Sequence, residues 1–105
     1  MSTNNDHDQA VQRFRDSIPL FQALSDPARQ DIILLLAEHN SLNVTDIANR
    51  SRLSRPAISH HLKILRDIGL VSIVQQGTQR YYSLSLEDAV SQLKSLISTV
   101  EQTCL

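Results

Sequence analysis

The stretch SRPAISHHLKILRDIGLV, residues 54–71, decides the fold. Ser54 is a favoured N-cap residue, Pro56 falls in a first helical turn, and Gly69 is a typical stop signal. At about 100° per residue, the aliphatic side chains between these signals fall on one face and its flank. The expected buried face consists of Ile58, Leu62 and Leu65, and the flank consists of His61, Ile64 and Ile68. The stretch therefore predicts an amphipathic helix over residues 54–68.

The opposite face of this helix is small, polar or basic. It consists of Pro56, Ser59, His60 and Lys63. Arg55 stands at the N-terminal end, where its side chain could reach a guanine edge or a phosphate. The face lacks the Leu and Phe residues that a protein-binding surface needs, which favours nucleic-acid recognition. A solvated surface helix is the alternative interpretation of the same pattern.

A second helical segment, residues 44–51, precedes this helix, and only a few residues separate the two. Helices joined by so short a link must pack at a steep angle, which predicts a helix-turn-helix over residues 44–68. Further upstream, Asp26 as N-cap and Pro27 at the first helical position predict another helix that ends near His39.

The N-terminal region is expected to contain a helix over residues 9–24, because apolar side chains recur there at spacings of three and four. Pro19 interrupts this pattern, which predicts either a kink or a new helix with Ser17 as its N-cap. Residues 1–8 are polar, so we expect them to be disordered.

Two β-type runs rich in Val, Ile and Tyr follow Gly69. They predict a hairpin over residues 70–84 with a loop at residues 75–78. A hairpin directly after such a helix is a wing, and Thr78 and Arg80 near its tip suit contacts to phosphates or to a narrow minor groove. Adjacent strand residues face opposite sides, so we expect core packing for one of the two tyrosines at positions 81 and 82.

Basic side chains are concentrated in residues 44–82. This segment carries six Lys and Arg residues and two acidic residues, whereas the rest of the chain carries four and nine. A basic segment within a chain of net charge −1 is typical of a protein that meets a polyanion with one face.

Composition favours one soluble domain spanning residues 1–105, with 41% apolar and 20% charged residues. The longest apolar run is far too short to cross a membrane, and the polar start lacks the core of a signal peptide, so we expect a cytoplasmic protein. The single cysteine, Cys104, excludes an intrachain disulfide and a Cys-pair zinc site.

The last helical segment, residues 86–103, carries a continuous apolar stripe. A monomer of this size has few other residues that could cover this stripe. This segment and residues 9–24 are therefore expected to form a dimer interface, with intrachain packing as the alternative. The expected interface residues are Val11, Phe14, Ile18, Val90, Leu93, Ile97 and Val100. Two copies would present two recognition helices to successive major grooves, which predicts a pseudo-palindromic site.

Three runs of this chain resemble the ArsR/SmtB-type winged-helix repressors: LFQALSDPAR at residues 20–29, the run at 54–71, and QQGTQRYYSL at 75–84. The resemblance implies a mainly helical winged helix-turn-helix homodimer with about five helices and a two-stranded wing. It also implies a repressor that binds operator DNA and leaves it when a signal arrives. The residues expected at the DNA are Arg52, Ser54, Arg55, Pro56, Ser59, His60, Lys63, Thr78 and Arg80.

The chain departs from the metal-sensing members of that family. Asn43 and Thr45 occupy the positions where one sensing motif has cysteines, and neither is a thiolate ligand. The other motif uses carboxylates and histidines on the last helix, which here contains no histidine. That helix offers Glu87, Asp88, Thr99 and Gln102 instead. We therefore expect no metal at the usual sites and no cofactor, and the sequence does not identify an inducer.

Two further alternatives stay open. Cys104 is a possible redox site, because a lone thiol could form a bridge between the two subunits of a dimer. A winged-helix module that binds protein instead of DNA is the other alternative. An enzyme is not expected, because no Gly-rich phosphate loop or nucleophile elbow is present.

Overall fold

The computed structural model describes residues 3–105, which form helical segments and one antiparallel hairpin in an elongated molecule of 56 × 25 × 20 Å. The elements in chain order are α1 (Thr3–Asp16), α2 (Ile18–Leu24), α3 (Pro27–His39), α4 (Val44–Asn49), α5 (Arg55–Asp67), β1 (Val71–Gln76), β2 (Gln79–Leu84) and α6 (Glu87–Cys104). No helix in residues 3–105 is long and apolar enough to cross a membrane. The predicted class, mainly helical with a two-stranded wing, is confirmed.

The N-terminal helix divides at Ser17, so α1 and α2 together count as one broken helix of the five predicted. A new helix starts at Ile18 with Pro19 in its first turn. The Ser17 hydroxyl does not cap that helix, contrary to the prediction, because it donates to the Arg13 carbonyl at 2.8 Å.

The first helix also begins earlier than predicted. Residues 3–8, which were expected to be disordered, form the first turns of α1, and residues 1 and 2 lie outside the described part of the chain. Asp6 in the first turn favours this start, since a negative charge stabilises the positive end of the helix dipole.

Helices α3 and α5 both start at side-chain caps. The Asp26 carboxylate accepts the Ala28 N–H at 2.8 Å, and this hydrogen bond lowers the pKa of Asp26 below its usual 3.8. Ser54 accepts the Ala57 N–H at 3.3 Å, so both predicted caps are confirmed. At the end of α3, Asn40 has a φ of 65° and a ψ of −50°, the geometry of a γ-turn, and the Ser41 N–H donates to the His39 carbonyl at 2.6 Å.

The core lies between α2–α5 and the inner face of the hairpin. The predicted buried face of α5 is confirmed, because Ile58, Leu62 and Leu65 are each at most 1% exposed. These side chains pack with the other buried residues of the core, namely Leu20, Ala23, Ile32, Leu36, Leu42, Ile47, Leu70, Val71 and Tyr82. The buried faces of α2, α3 and α4 thus hold α5 against the core.

The hairpin is the predicted wing, with a tighter turn than expected. Gln76 pairs with Gln79, so the loop contains Gly77 and Thr78 alone and not residues 75–78. Gly77 has a φ of 62°, which suits the first central position of a type II′ turn. Tyr82 packs into the core and exchanges two backbone hydrogen bonds with Leu42, which ties the wing to the segment before α4.

The two terminal helices, α1 and α6, form an arm beside the core. They pack on each other through Ala10 and Leu96, which are buried. The Gln92 amide fastens the arm by donating to the Asp16 carbonyl at 2.9 Å. The radius of gyration is 16.9 Å, whereas a compact chain of this length has about 13 Å. The arm therefore extends away from the rest of the molecule.

Candidate nucleic-acid interface

The outward face of α5 is polar and open to solvent, as predicted. Its N-cap and first turn place Arg55 and Pro56 at the exposed start of the helix, while Ser59, His60 and Lys63 follow along the same surface. The Ser54 hydroxyl accepts the Ala57 N–H, so its role in this structure is to cap the start of the helix. The structure thus brings together six of the nine residues expected at the DNA.

A groove of about 360 Å³ lies between α5 and the wing. Three basic side chains line it: Lys63 and Arg66 from the helix, and Arg80 from the returning strand. Ser59 contributes a hydroxyl to the same groove, and Tyr82 contributes part of its wall. Cations from two different elements therefore converge on one concave surface.

Arg66 is the residue of this groove that the sequence interpretation missed. It was not among the residues expected at the DNA, yet its side chain is exposed near the C-terminal end of α5 and lines the groove. Among residues 3–105, no acidic side chain forms an ion pair with Arg66 or Arg80. The sequence offered one signal for this position: Arg66 follows Lys63 by three residues, and residues three apart share a helix face.

One acid also lines the groove. Asp67 accepts a hydrogen bond from the Lys63 ammonium at 3.1 Å, and both side chains are largely exposed. Exposed ion pairs of this kind contribute little to stability, so Lys63 can exchange this partner for another anion.

The remaining basic and polar positions lie around this groove. Arg52 is exposed in the turn between α4 and α5, where it lines a second cleft together with Arg50. Thr78 occupies the exposed tip of the wing, and Gln79 beside it accepts a hydrogen bond from the Asn43 amide. The turn, the helix and the wing thus each expose at least one residue of the predicted set.

The positions compared with metal-sensing motifs have other tasks. Asn43 is the N-cap of α4, and its side chain accepts the Asp46 N–H at 2.7 Å in a reciprocal capping box. Thr45 is exposed. Within residues 3–105, no three His, Cys, Asp or Glu side chains are grouped closely enough to hold a metal ion. The residues at these positions do not fit a thiolate or imidazole site.

Cys104 lies in the last turn of α6 and is exposed as a free thiol.

His60 and His61 have ring centroids 5.7 Å apart, but they sit on different sides of α5, with His60 exposed and His61 half-buried.

The residues expected at a dimer interface lie on the arm, except for Ile18, which is the first residue of α2. Phe14, Ile18, Val90 and Ile97 are between 43% and 58% exposed, which leaves large apolar side chains open to solvent. The other three expected residues, Val11, Leu93 and Val100, are half-buried. Phe21 is 42% exposed as well and was not among the expected interface residues.

This chain is similar to known transcriptional regulators in both sequence and structure. The sequence profile described as "Bacterial regulatory protein, arsR family" matches residues 26–72. An uncharacterised helix-turn-helix transcriptional regulator of Methanocaldococcus jannaschii is 33% identical over 83% of this chain and 97% of its own length. The transcriptional repressor SdpR of Bacillus subtilis is 37% identical over 75% of this chain and 90% of its own.

The arsenical resistance operon repressor of Staphylococcus xylosus is 32% identical over 87% of this chain and 88% of its own. Among solved structures, an ArsR-like transcriptional regulator from a Rhodococcus species superposes with a TM-score of 0.79 at 27% identity. That match covers 88% of this chain and 84% of the other.

Proposed function

Because the chain belongs to the bacterial ArsR family of DNA-binding transcriptional regulators, we propose that it is a homodimeric repressor that binds a pseudo-palindromic operator in the cytoplasm. The observation that carries this proposal is the groove between α5 and the wing. There the basic side chains of Lys63, Arg66 and Arg80 surround a surface suited to a phosphate backbone.

In this proposal α5 lies in the major groove. Arg55 at its N-terminal end and Ser59 and His60 on its outward face reach base edges, because these positions are exposed and carry hydrogen-bonding groups. Lys63 and the two arginines of the groove contact phosphates, and Arg52 contacts phosphate from the turn before α5. Thr78 and Arg80 bring the wing to the backbone or to the adjacent minor groove.

The apolar surface of the arm supports the dimer. Phe14, Ile18, Val90 and Ile97 are all more than 40% exposed on α1, α2 and α6, which a monomer leaves in water at a cost in free energy. Two copies joined through these helices would carry two α5 helices. Their separation on DNA should be about 34 Å, one turn of the double helix, or a multiple of it.

A selection of bound fragments from the source genome tests this function. We expect enriched fragments to contain a pseudo-palindrome, and the affinity for them to fall steeply as salt increases, because released counterions drive phosphate binding. The double variant Arg55→Ala with Lys63→Ala should abolish enrichment of the wild-type fragments.

Two outcomes would contradict the proposal. Weak, salt-insensitive binding to all duplex DNA would instead favour a winged-helix module that binds protein. Wild-type affinity in the double variant would show that α5 is not the recognition helix.

A further inference from the structure

The guanidinium of Arg29 joins three helices near the start of α3. Its Nε donates to the Ala23 carbonyl at 2.7 Å, and its Nη2 donates to the Gln22 carbonyl at 3.0 Å. These carbonyls belong to the last turn of α2, and the Gln22 carbonyl also accepts a hydrogen bond from the Ser25 hydroxyl at 2.9 Å. Asp26 lies 3.4 Å from Nη1, and the Arg29 side chain is only 12% exposed.

The same guanidinium reaches α5. Arg29 Nη1 lies 3.2 Å from Nδ1 of His61, a half-buried residue that directly follows His60 of the outward face. An arginine can only donate, so Nδ1 accepts and the ring proton of His61 resides on Nε2. In the described part of the chain, this is the one side-chain hydrogen bond between α5 and another helix.

A directional contact of this kind restrains the rotation of α5 about its own axis, which the apolar core does less well. Ile58, Leu62 and Leu65 hold the helix through apolar contacts, which have no preferred direction and allow small rotations about the helix axis. The planar guanidinium, itself held by two carbonyls, favours one placement of the His61 ring. Rotation of α5 would turn its outward face relative to base edges.

We propose that Arg29 is a positioning residue that, through His61, fixes the rotation of α5 and thereby sets how well the protein discriminates its operator from other DNA. This proposal rests on the proposed function. Phosphate contacts depend mainly on charge and tolerate a small rotation, whereas hydrogen bonds to base edges do not. Loss of the Arg29–His61 contact therefore reduces specific affinity while non-specific affinity remains.

The test compares two probes for each variant: the tightest fragment from the genomic selection, and a scrambled duplex of the same length and composition. His61→Leu removes the acceptor, and Arg29→Lys removes the planar fork. Both should lower the ratio of the two affinities by about tenfold, the effect of one lost base contact, with binding to the scrambled duplex nearly unchanged. His61→Asn keeps an acceptor near the position of Nδ1 and should restore the ratio.

A matched control comes from the neighbouring residue. Gln30 donates to the Leu24 carbonyl at 2.7 Å, so it also caps the end of α2 from α3, but it makes no hydrogen bond to α5. Gln30→Ala should lower stability slightly and leave the affinity ratio unchanged. Thermal unfolding of every variant identifies losses of binding that arise from unfolding.

An unchanged ratio in folded His61→Leu protein would overturn the proposal, as would an equal fall in Gln30→Ala. Failure of the wild-type protein to bind either probe would instead overturn the proposed function itself. The two failures are therefore distinguishable.

Discussion

Lys63 Nζ lies 3.1 Å from Asp67 Oδ2, one helical turn further along α5, so the basic residue of the outward face already has an intramolecular partner. Both groups are more than 60% exposed, and exposed pairs of this kind contribute at most about 1 kcal/mol. A DNA phosphate can therefore displace Asp67, but Asp67 then remains as a negative charge beside the backbone. The pair lowers affinity for any polyanion.

The substitution Asp67→Asn should accordingly strengthen DNA binding. We expect a gain of about fivefold, equivalent to about 1 kcal/mol, for specific and non-specific duplexes alike. Titrations at two salt concentrations measure it. Asp88→Asn changes the net charge equally on α6, so an identical gain in that variant would indicate a general charge effect and not a local one.

Arg66 and Arg80 can be tested as phosphate contacts. Replacing either by Ala should weaken binding to all sequences and reduce the slope of log affinity against log salt by about 1. Lys94→Ala removes the same charge from an exposed position on α6 and should leave the slope unchanged. If Arg66→Ala behaves like Lys94→Ala, Arg66 makes no phosphate contact.

The exposed apolar residues of the arm allow the proposed dimer to be tested. Ile97 is 58% exposed on α6, and Ile97→Asp should place a charge in the dimer interface and raise the dissociation constant of the dimer by more than about tenfold. Sedimentation over a concentration series measures this change. Leu34 is 62% exposed on α3, outside the proposed interface, so Leu34→Asp should still form dimers.

Asp26 makes stability depend on acid pH. The hydrogen bond from the Ala28 N–H is the main cause that lowers its pKa; desolvation opposes this effect, and the charge of Arg29 adds a smaller lowering. Because the folded pKa lies below the unfolded value, the stabilisation is complete above about pH 4 and is lost as pH falls through the folded pKa.

Thermal unfolding between neutral and strongly acid pH measures the effect. Asp26→Asn keeps an oxygen acceptor for Ala28 without the charge, so it should melt lower than wild type at neutral pH and approach it in acid. Parallel curves at every pH would contradict this assignment.

Local signals in the sequence predicted much of the fold. The cap at Ser54, the periodic burial of Ile58 and Leu62, and the stop at Gly69 are all encoded within one or two helical turns, where intrinsic preferences decide the outcome. The outward face of α5 followed from the same periodicity, so most of the candidate site was predicted with it.

The features that were missed depend on residues far apart in the chain. Ser17 looks like a cap, but its hydroxyl bonds back to Arg13 and faces Gln92, which lies 75 positions later. The contact between Arg29 and His61 spans 32 positions and has no periodic signal. The predicted length of the hairpin loop was also wrong. Gln76 and Gln79 can end strands or form a loop with equal ease, and only the pairing register decides which of the two they do.

The arm has a consequence for how the protein is made. It is built from α1 and α6, which are far apart in the sequence, and the two helices pack on each other. During synthesis α1 emerges well before α6, so α1 lacks this packing partner until α6 has been made. The part of the chain between them, which holds α5 and the wing, is complete earlier. In the proposed dimer, pairing through the arm therefore requires α6 and follows the synthesis of the helix-turn-helix and the wing.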